Sequence, residues 1–281
     1  MLSILPALLA ALSAGVWGTG DFCGGKASQN ADPIAVTVLS QLLGIPVLVI
    51  AVIVFNQGWP SASLIGQDAL AGVAGFIGIV LLYRGLSRGA MAVFAPISAV
   101  TSAIIPMIVG LVSETTPGFL PLLGAGIAIV AIGLVSMSGG MHNAAVTPGL
   151  VGLALATGSM FGIFFAILGQ AKPDAGMWPL FGIRLGSISL GLLVALFTRT
   201  SLRLPSTPFR FTAVAGTFDI AANGLFILAA ARGQLTIVAP IASLYPVSTV
   251  LLALGVDRER VRPIQLAGLG LAATALVLVA T

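Results

Sequence analysis

Two ionisable side chains, Asp219 and Arg184, stand inside strongly apolar stretches of this 281-residue chain. Asn223 follows Asp219 by four residues, so the two lie one turn apart on the same face of a helix. An ionisable group at the depth of a bilayer costs about 2.5–3.5 kcal/mol and usually faces a bundle interior or a wet cavity. The pattern predicts a buried polar site in which Asp219 contacts an ammonium group or couples to protons, while Asn223 adds hydrogen bonds.

A structural interpretation of the same charges stays open beside it. Asp219 is nine residues from one end of its apolar segment, and Arg184 is seven residues from the opposite end of another. At about 1.5 Å per residue, Asp219 lies roughly 13 Å below one face of the membrane and Arg184 roughly 10 Å below the opposite face. In a hydrocarbon layer of about 30 Å, their levels along the membrane normal therefore differ by only about 6 Å. An arginine side chain covers that difference. A buried ion pair between Arg184 and Asp219 that contacts no ligand is therefore predicted as the alternative.

Aromatic rings and hydroxyl groups complete the candidate site, because a ring with a polar tip supplies apolar area and a hydrogen bond together. The predicted substrate-binding residues are Trp17, Tyr83, Thr101, Ser102, Asp219, Asn223, Ser243 and Tyr245. Tyr83 has a second interpretation as a residue of the membrane interface, and the hydroxyls have one as partners of backbone carbonyls that prolines free. Asp21, at the end of the first apolar segment, is interpreted as a solvated or capping charge.

Several chemistries are excluded by what the chain lacks. Cys23 is the single cysteine and His142 the single histidine, so no intramolecular disulfide, thiolate cluster or metal centre is expected. The sequence contains no phosphate loop, GxSxG elbow or HExxH motif. We therefore expect no cofactor, no catalytic residue and no enzyme activity.

The composition assigns these residues to a membrane protein. Hydrophobic residues make up 58% of the chain and charged residues 7%, with a mean hydropathy of +1.14; soluble domains carry roughly 25% charged residues. A net charge of +4 on scattered residues forms no basic patch, so the expected partner is the lipid bilayer and not nucleic acid.

Each membrane-spanning helix needs about 20 apolar residues. Stretches of that kind show no alternation of polar and apolar residues, which excludes a β-barrel. The predicted fold is all-α, with ten transmembrane helices near residues 3–22, 33–55, 68–86, 90–113, 117–137, 148–169, 177–198, 210–231, 234–256 and 263–280.

Lysine and arginine near the helix ends predict the orientation, because cytoplasmic loops are enriched in them. Nine lie on one side, namely Lys26, Arg84, Arg88, Arg199, Arg203, Arg210, Arg258, Arg260 and Arg262, and two lie on the other, Lys172 and Arg232. Both termini are therefore predicted on the outer (periplasmic) side of the inner (plasma) membrane.

An offset of 144 residues aligns the chain with itself without a gap. Ala95-Pro96-Ile97 recurs as Ala239-Pro240-Ile241, and Gly72 falls on Gly216. Each half holds five predicted helices, an odd number, so the second half enters the membrane from the opposite side. Residues 1–140 and 141–281 are thus predicted as two inverted repeats, an arrangement typical of transporters that alternate access between two faces. Pro96 and Pro240 are predicted hinges, with a static kink as the alternative.

Specific motifs carry a family resemblance. They are Trp17-Gly18, the run from Tyr83 through Arg88-Gly89 to Ala95-Pro96-Ile97, and the acidic residues Glu114 and Glu259 before the fifth and tenth helices. With these motifs the chain resembles the drug/metabolite transporter superfamily and, within it, the EamA family, being most similar to YddG-type bacterial amino-acid exporters. The resemblance implies a central cavity between the halves and outward movement of small metabolites.

The expected function is therefore secondary transport of a small-molecule substrate, with amino acids as the first candidate class and export as the direction. Two alternatives stay open, a sugar or nucleotide-sugar transporter and a membrane scaffold that binds a ligand without moving it. The sequence is compatible with a monomer.

Overall fold

The computed structural model describes residues 4–55, 58, 60–86, 91–137, 147–171, 175–256 and 262–279, with side chains throughout except at 83–86, 91–95, 250 and 253–256. Regular structure in these ranges is helical. The helices are α1 (Ile4–Ser28), α2 (Pro33–Leu43), α3 (Ile45–Phe55), α4 (Ala62–Leu86), α5 (Met91–Ser113), α6 (Phe119–Val135), α7 (Pro148–Gly169), α8 (Trp178–Thr198), α9 (Ser206–Ala230), α10 (Leu235–Ala242), α11 (Tyr245–Val256) and α12 (Pro263–Val279).

Apolar length and apolar surface make this a multi-pass membrane protein. Within the described ranges, eight stretches are long and apolar enough to cross a bilayer, one of them formed by α2 and α3 together as Pro33–Phe55. Two shorter apolar helices, Leu235–Thr249 and Pro263–Val279, follow near the C-terminus. Large apolar side chains such as Val112 and Phe197, each 83% exposed, cover the outside, where lipid is their favourable solvent.

The backbone repeats at the offset seen in the sequence. Adding 144 to the bounds of α4, 62 and 86, gives 206 and 230, the bounds of α9, and the same addition converts α6 into α12. Helix packing repeats as well, since α1 packs on α9 as α7 packs on α4, and α4 packs on α8 as α9 packs on α2. Duplication of one helical unit is therefore visible in the tertiary contacts and not only in the residues.

Two breaks depart from that repeat. The first separates α2 from α3 at Gly44, two residues before Pro46, and the second separates α10 from α11 at Ser243–Leu244, two residues before Pro246. A proline nitrogen has no hydrogen to donate to the carbonyl four residues earlier, so each break leaves one helical hydrogen bond unmade. Pro96 and Pro240, the predicted hinges, both lie inside continuous helical turns, of α5 and α10 respectively.

Three helices begin or end beyond the predicted bounds. The predicted end of the first helix at 22 is wrong, because α1 continues to Ser28, and α4 and α9 begin at Ala62 and Ser206, several residues before 68 and 210. These additional turns contain polar and small residues, so a prediction based on continuous apolar stretches does not include them in the helices. Asp21 consequently lies seven residues before the end of α1, or about 10 Å along the helix axis.

Candidate functional site

A central cavity lies between helices of both repeats. Its volume is about 140 Å³. Helices α1, α2 and α4 line it from the first repeat, and α7, α8, α9 and α11 from the second. Its lining residues include Trp17, Asp21, Gln41, Phe76, Phe161, Phe164, Phe165, Arg184, Asp219, Asn223 and Tyr245.

Aromatic side chains form one wall of this cavity. The rings of Trp17 and Phe165 meet edge to face with centroids 5.0 Å apart, and Phe164 meets Phe165 at 5.3 Å. Phe226 closes the cluster from behind, 5.7 Å from Trp17 and fully buried. Edge-to-face packing holds each ring in one orientation, so the wall is a fixed apolar surface.

A buried polar network lies in the same cavity. The guanidinium of Arg184 donates to the carboxylate of Asp219 and to Oε1 of Gln41, and the hydroxyl of Ser187 donates to the same Oε1 at 3.0 Å. The Arg184 side chain is 4% exposed, whereas that of Asp219 is 32% exposed. The hydrogen-bond acceptors around Arg184 therefore fix the position of its guanidinium. Asp219 pairs with Arg184, and part of its side chain remains accessible from the cavity.

Asn223 adds an acceptor that nothing in the described part of the chain satisfies. Its Nδ2 donates to the backbone carbonyl of Asp219 at 2.7 Å, which fixes the amide plane. Its Oδ1 has no hydrogen-bond partner, although the residue is only 1% exposed and lines the cavity. A buried acceptor without a partner is costly, so this atom is a natural contact for a bound N–H or O–H group.

Asp21 is the lining residue that sequence reasoning missed. Its side chain is exposed, as expected of a solvated charge, but it lies within α1 and not at a helix end, and it lines the central cavity and a smaller cavity beside it. It lies one turn beyond Trp17 on α1 and within electrostatic range of Asp219 and Tyr245. The spacing of four residues between Trp17 and Asp21 indicates that both lie on the same face of a helix. This spacing was not recognised in the sequence, because the predicted helix end at residue 22 placed Asp21 at the terminus.

Other predicted residues lie outside the cavity lining. Thr101 donates to the carbonyl of Ile97 at 2.7 Å and Ser102 donates to that of Ala99 at 2.7 Å, so both hydroxyls bond their own helix. The hydroxyl of Ser243 is buried without a partner among the described residues. Tyr83 belongs to α4, but its side chain lies outside the described ones.

A second, smaller cavity lies beside the first. It shares Asp21 and Asp219 with the first and is also lined by Gly24 and Thr37, toward the end of the bundle where α1 stops and α2 begins. Toward the opposite end α4 and α8 pack backbone to backbone, since a Cβ on Gly186 would overlap the carbonyl oxygen of Ala69. Asp68, one residue earlier on α4, lines a separate pocket at that end.

Comparison with known proteins assigns a family to this architecture. The model of the EamA-like transporter family matches residues 4–137 and again residues 149–281, so its two copies cover nearly the whole chain. The chain belongs to the EamA-like transporter family. This EamA protein is therefore a membrane transporter with a small-molecule substrate and a lipid surrounding, which is consistent with the expectation that it is not an enzyme.

A solved structure shows the same fold. One crystal structure of a protein superposes with a TM-score of 0.79 and 13% sequence identity, covering 99% of the EamA chain and 98% of its own. No curated protein matches the chain in sequence. Within the described ranges no group of three or more His, Cys, Asp or Glu side chains is placed to hold a metal ion.

Proposed function

We propose that this EamA protein is a ten-helix secondary transporter that exports small amphipathic metabolites, with amino acids as the first class to test. The observation that carries the proposal is the central cavity, which joins an aromatic wall to a charged network and is lined by helices of both repeats. Amphipathic metabolites match such a lining, because an apolar body packs on the rings while a charged group reaches Asp219 and its neighbours.

Alternating access is the proposed mechanism. Two five-helix repeats of opposite orientation, residues 1–140 and 141–281, exchange shapes around a site that stays between them. The structure brings both repeat-related crossings into backbone contact, α4 with α8 at Gly186 and α9 with α2 at Gly216. In this view access alternates when one crossing separates while the other stays packed.

We propose the inner (plasma) membrane as the location, with both termini outside. The nine basic residues of the predicted cytoplasmic side support this orientation, and with it the smaller cavity beside Asp21 lies toward the cytoplasm. A metabolite exporter loads its substrate from that side.

Trp17, Asp219, Asn223 and Tyr245 are the proposed substrate contacts, since all four line the cavity. Arg184 is proposed to position Asp219 through their ion pair. Tyr83, Thr101, Ser102 and Ser243 are left as sequence predictions. Pro96 and Pro240 remain proposed bending points. Pro46 and Pro246 are added to them, because a helix breaks two residues before each of these two prolines.

Efflux from proteoliposomes tests the proposal. Purified protein is reconstituted with internal radiolabelled amino acids, and release is followed with and without a pH gradient, beside protein-free liposomes. We expect saturable efflux, and its response to the gradient separates facilitated movement from proton coupling. Efflux equal to that of protein-free liposomes for amino acids, sugars and nucleotide sugars, from protein of intact helical content, would show that the chain is not such a transporter.

A further inference from the structure

We propose that Asp21 binds the ammonium group of the substrate and that the cavity prefers a monovalent cationic amine to the zwitterion of the same carbon skeleton. The inference rests on the proposed function to the extent that the central cavity receives the transported molecule. It adds a residue and a charge class that define the substrate more narrowly.

The balance of charge in the cavity is the first argument. Among the described residues that line it, Asp21, Asp219 and Arg184 carry charge, which leaves one negative charge in excess. Arg184 is already engaged by Asp219 and Gln41, whereas Asp21 has no ion-pair or hydrogen-bond partner within the described ranges. A ligand with one positive charge would neutralise this excess.

Asn223 supplies an independent argument. Its Oδ1 is an acceptor without a partner among the described residues, on a side chain 1% exposed at the cavity wall. A primary ammonium group has three donors and no acceptor, so it can use a carboxylate and an amide oxygen together. The amide nitrogen already donates to the carbonyl of Asp219, whereas the oxygen is free to accept from a bound ammonium group.

The aromatic wall of the cavity lies next to Asp21, where it can contact the apolar part of a bound amine. Trp17 precedes Asp21 by one helical turn, and its ring packs against Phe165 in the same cavity. A cation beside the face of an aromatic ring gains about 0.5–2 kcal/mol, and the apolar body of an amine covers the remaining rings. The carboxylate of a zwitterion would instead lie beside two aspartates, one of which is already paired with Arg184.

Matched ligands of one skeleton test the inference. Phenethylamine, phenylalanine methyl ester, phenylalanine and 3-phenylpropionate are compared in equilibrium binding to the purified full chain and in efflux from proteoliposomes. We expect the two cations to bind on the order of tenfold more tightly than phenylalanine, and 3-phenylpropionate to bind most weakly. Equal affinity for phenethylamine and phenylalanine would overturn the proposal.

Variants assign the preference to Asp21. Asp21→Asn should remove the advantage of the cations, and Asp21→Glu, which keeps the charge, should retain most of it. Asp68→Asn is the matched control, because Asp68 is another aspartate within a helix of the bundle but lines the separate pocket; it should leave the ratio unchanged. A cation preference that survives in folded Asp21→Asn, or that disappears equally in Asp68→Asn, contradicts the assignment.

Binding and efflux separate the two proposals. Preferential binding of cations without efflux of any ligand would support the role of Asp21 and reject transport. Saturable efflux of phenylalanine without preference for cations would support transport and reject the role of Asp21.

Discussion

At the scale of single residues, the ion pair between Arg184 and Asp219 is unequal. The arginine side chain is 4% exposed and surrounded by fixed acceptors, whereas the aspartate is 32% exposed toward the cavity. Removal of one member of a buried ion pair leaves the other charge without a partner. The resulting loss of folding stability is larger when the remaining charge is less accessible to water. Asp219 can be hydrated from the cavity, but Arg184 cannot. The two members should therefore contribute differently to stability.

A double-mutant cycle measures this difference. Asp219→Leu leaves Arg184 buried beside Gln41 alone and should destabilise the fold by about 3 kcal/mol, more than Arg184→Leu does. The double variant removes both charges and should be more stable than the sum of the single losses predicts. Thermal unfolding in detergent, at one protein concentration, supplies the three values. Additive losses would mean that the pair has no coupling energy.

At the scale of elements, glycines allow α4 and α8 to touch. A Cβ on Gly72 would overlap the carbonyl oxygen of Ile183, and one on Gly186 would overlap that of Ala69. Both obstacles are backbone atoms, which no rotamer change can move away. In membranes such close approach replaces the hydrophobic effect as the source of helix association, since van der Waals contact and weak polar contacts then act over short distances.

Gly186→Ala should therefore separate the two helices. The added methyl group forces a backbone shift, and we expect a loss of about 1–3 kcal/mol in stability together with slower efflux. Gly66→Ala is the control, because Gly66 lies on α4 and a Cβ added to it would meet no atom within 4 Å. That variant should gain up to about 1 kcal/mol from helix propensity. Equal melting temperatures for the two variants would show that the crossing tolerates separation.

At the scale of the whole molecule, two copies of one helical unit share a cavity that neither copy forms alone. Lining residues come from three helices of the first repeat and four helices of the second. The two copies differ in the charged residues of the cavity. At the offset of 144, Asp219 and Arg184 of the second repeat correspond to the uncharged residues Gly75 and Ser40 of the first. The backbone is nearly symmetric, but the charge distribution is not.

Orientation is the testable property at this scale. Fusion of alkaline phosphatase to the C-terminus should yield an active enzyme, because the basic loops predict that this terminus lies outside. A green fluorescent protein at the same position should stay dark, since it does not mature there. Bright fluorescence with inactive phosphatase would reverse the orientation and put the smaller cavity beside Asp21 on the outer side.

Much of this protein could be predicted from local properties of its sequence. Hydropathy identifies the membrane class, and an offset of 144 relates α4 to α9 before any contact is known. Asp219 and Arg184 are recognisable because a charge in an apolar run is expensive wherever the run packs. Each of these inferences needs only neighbours along the chain or the chain compared with itself.

Only the tertiary structure decided which side chains meet. Asp21 became a cavity residue because α1 continues past the apolar run and packs on α9, a contact that no local pattern contains. Thr101 and Ser102 are predicted contacts by type, and the tertiary structure adds that their hydroxyls donate to carbonyls of their own helix while Ser102 also contacts Tyr245. A cavity is a property of the space between distant helices, and hydropathy and spacing describe each helix singly.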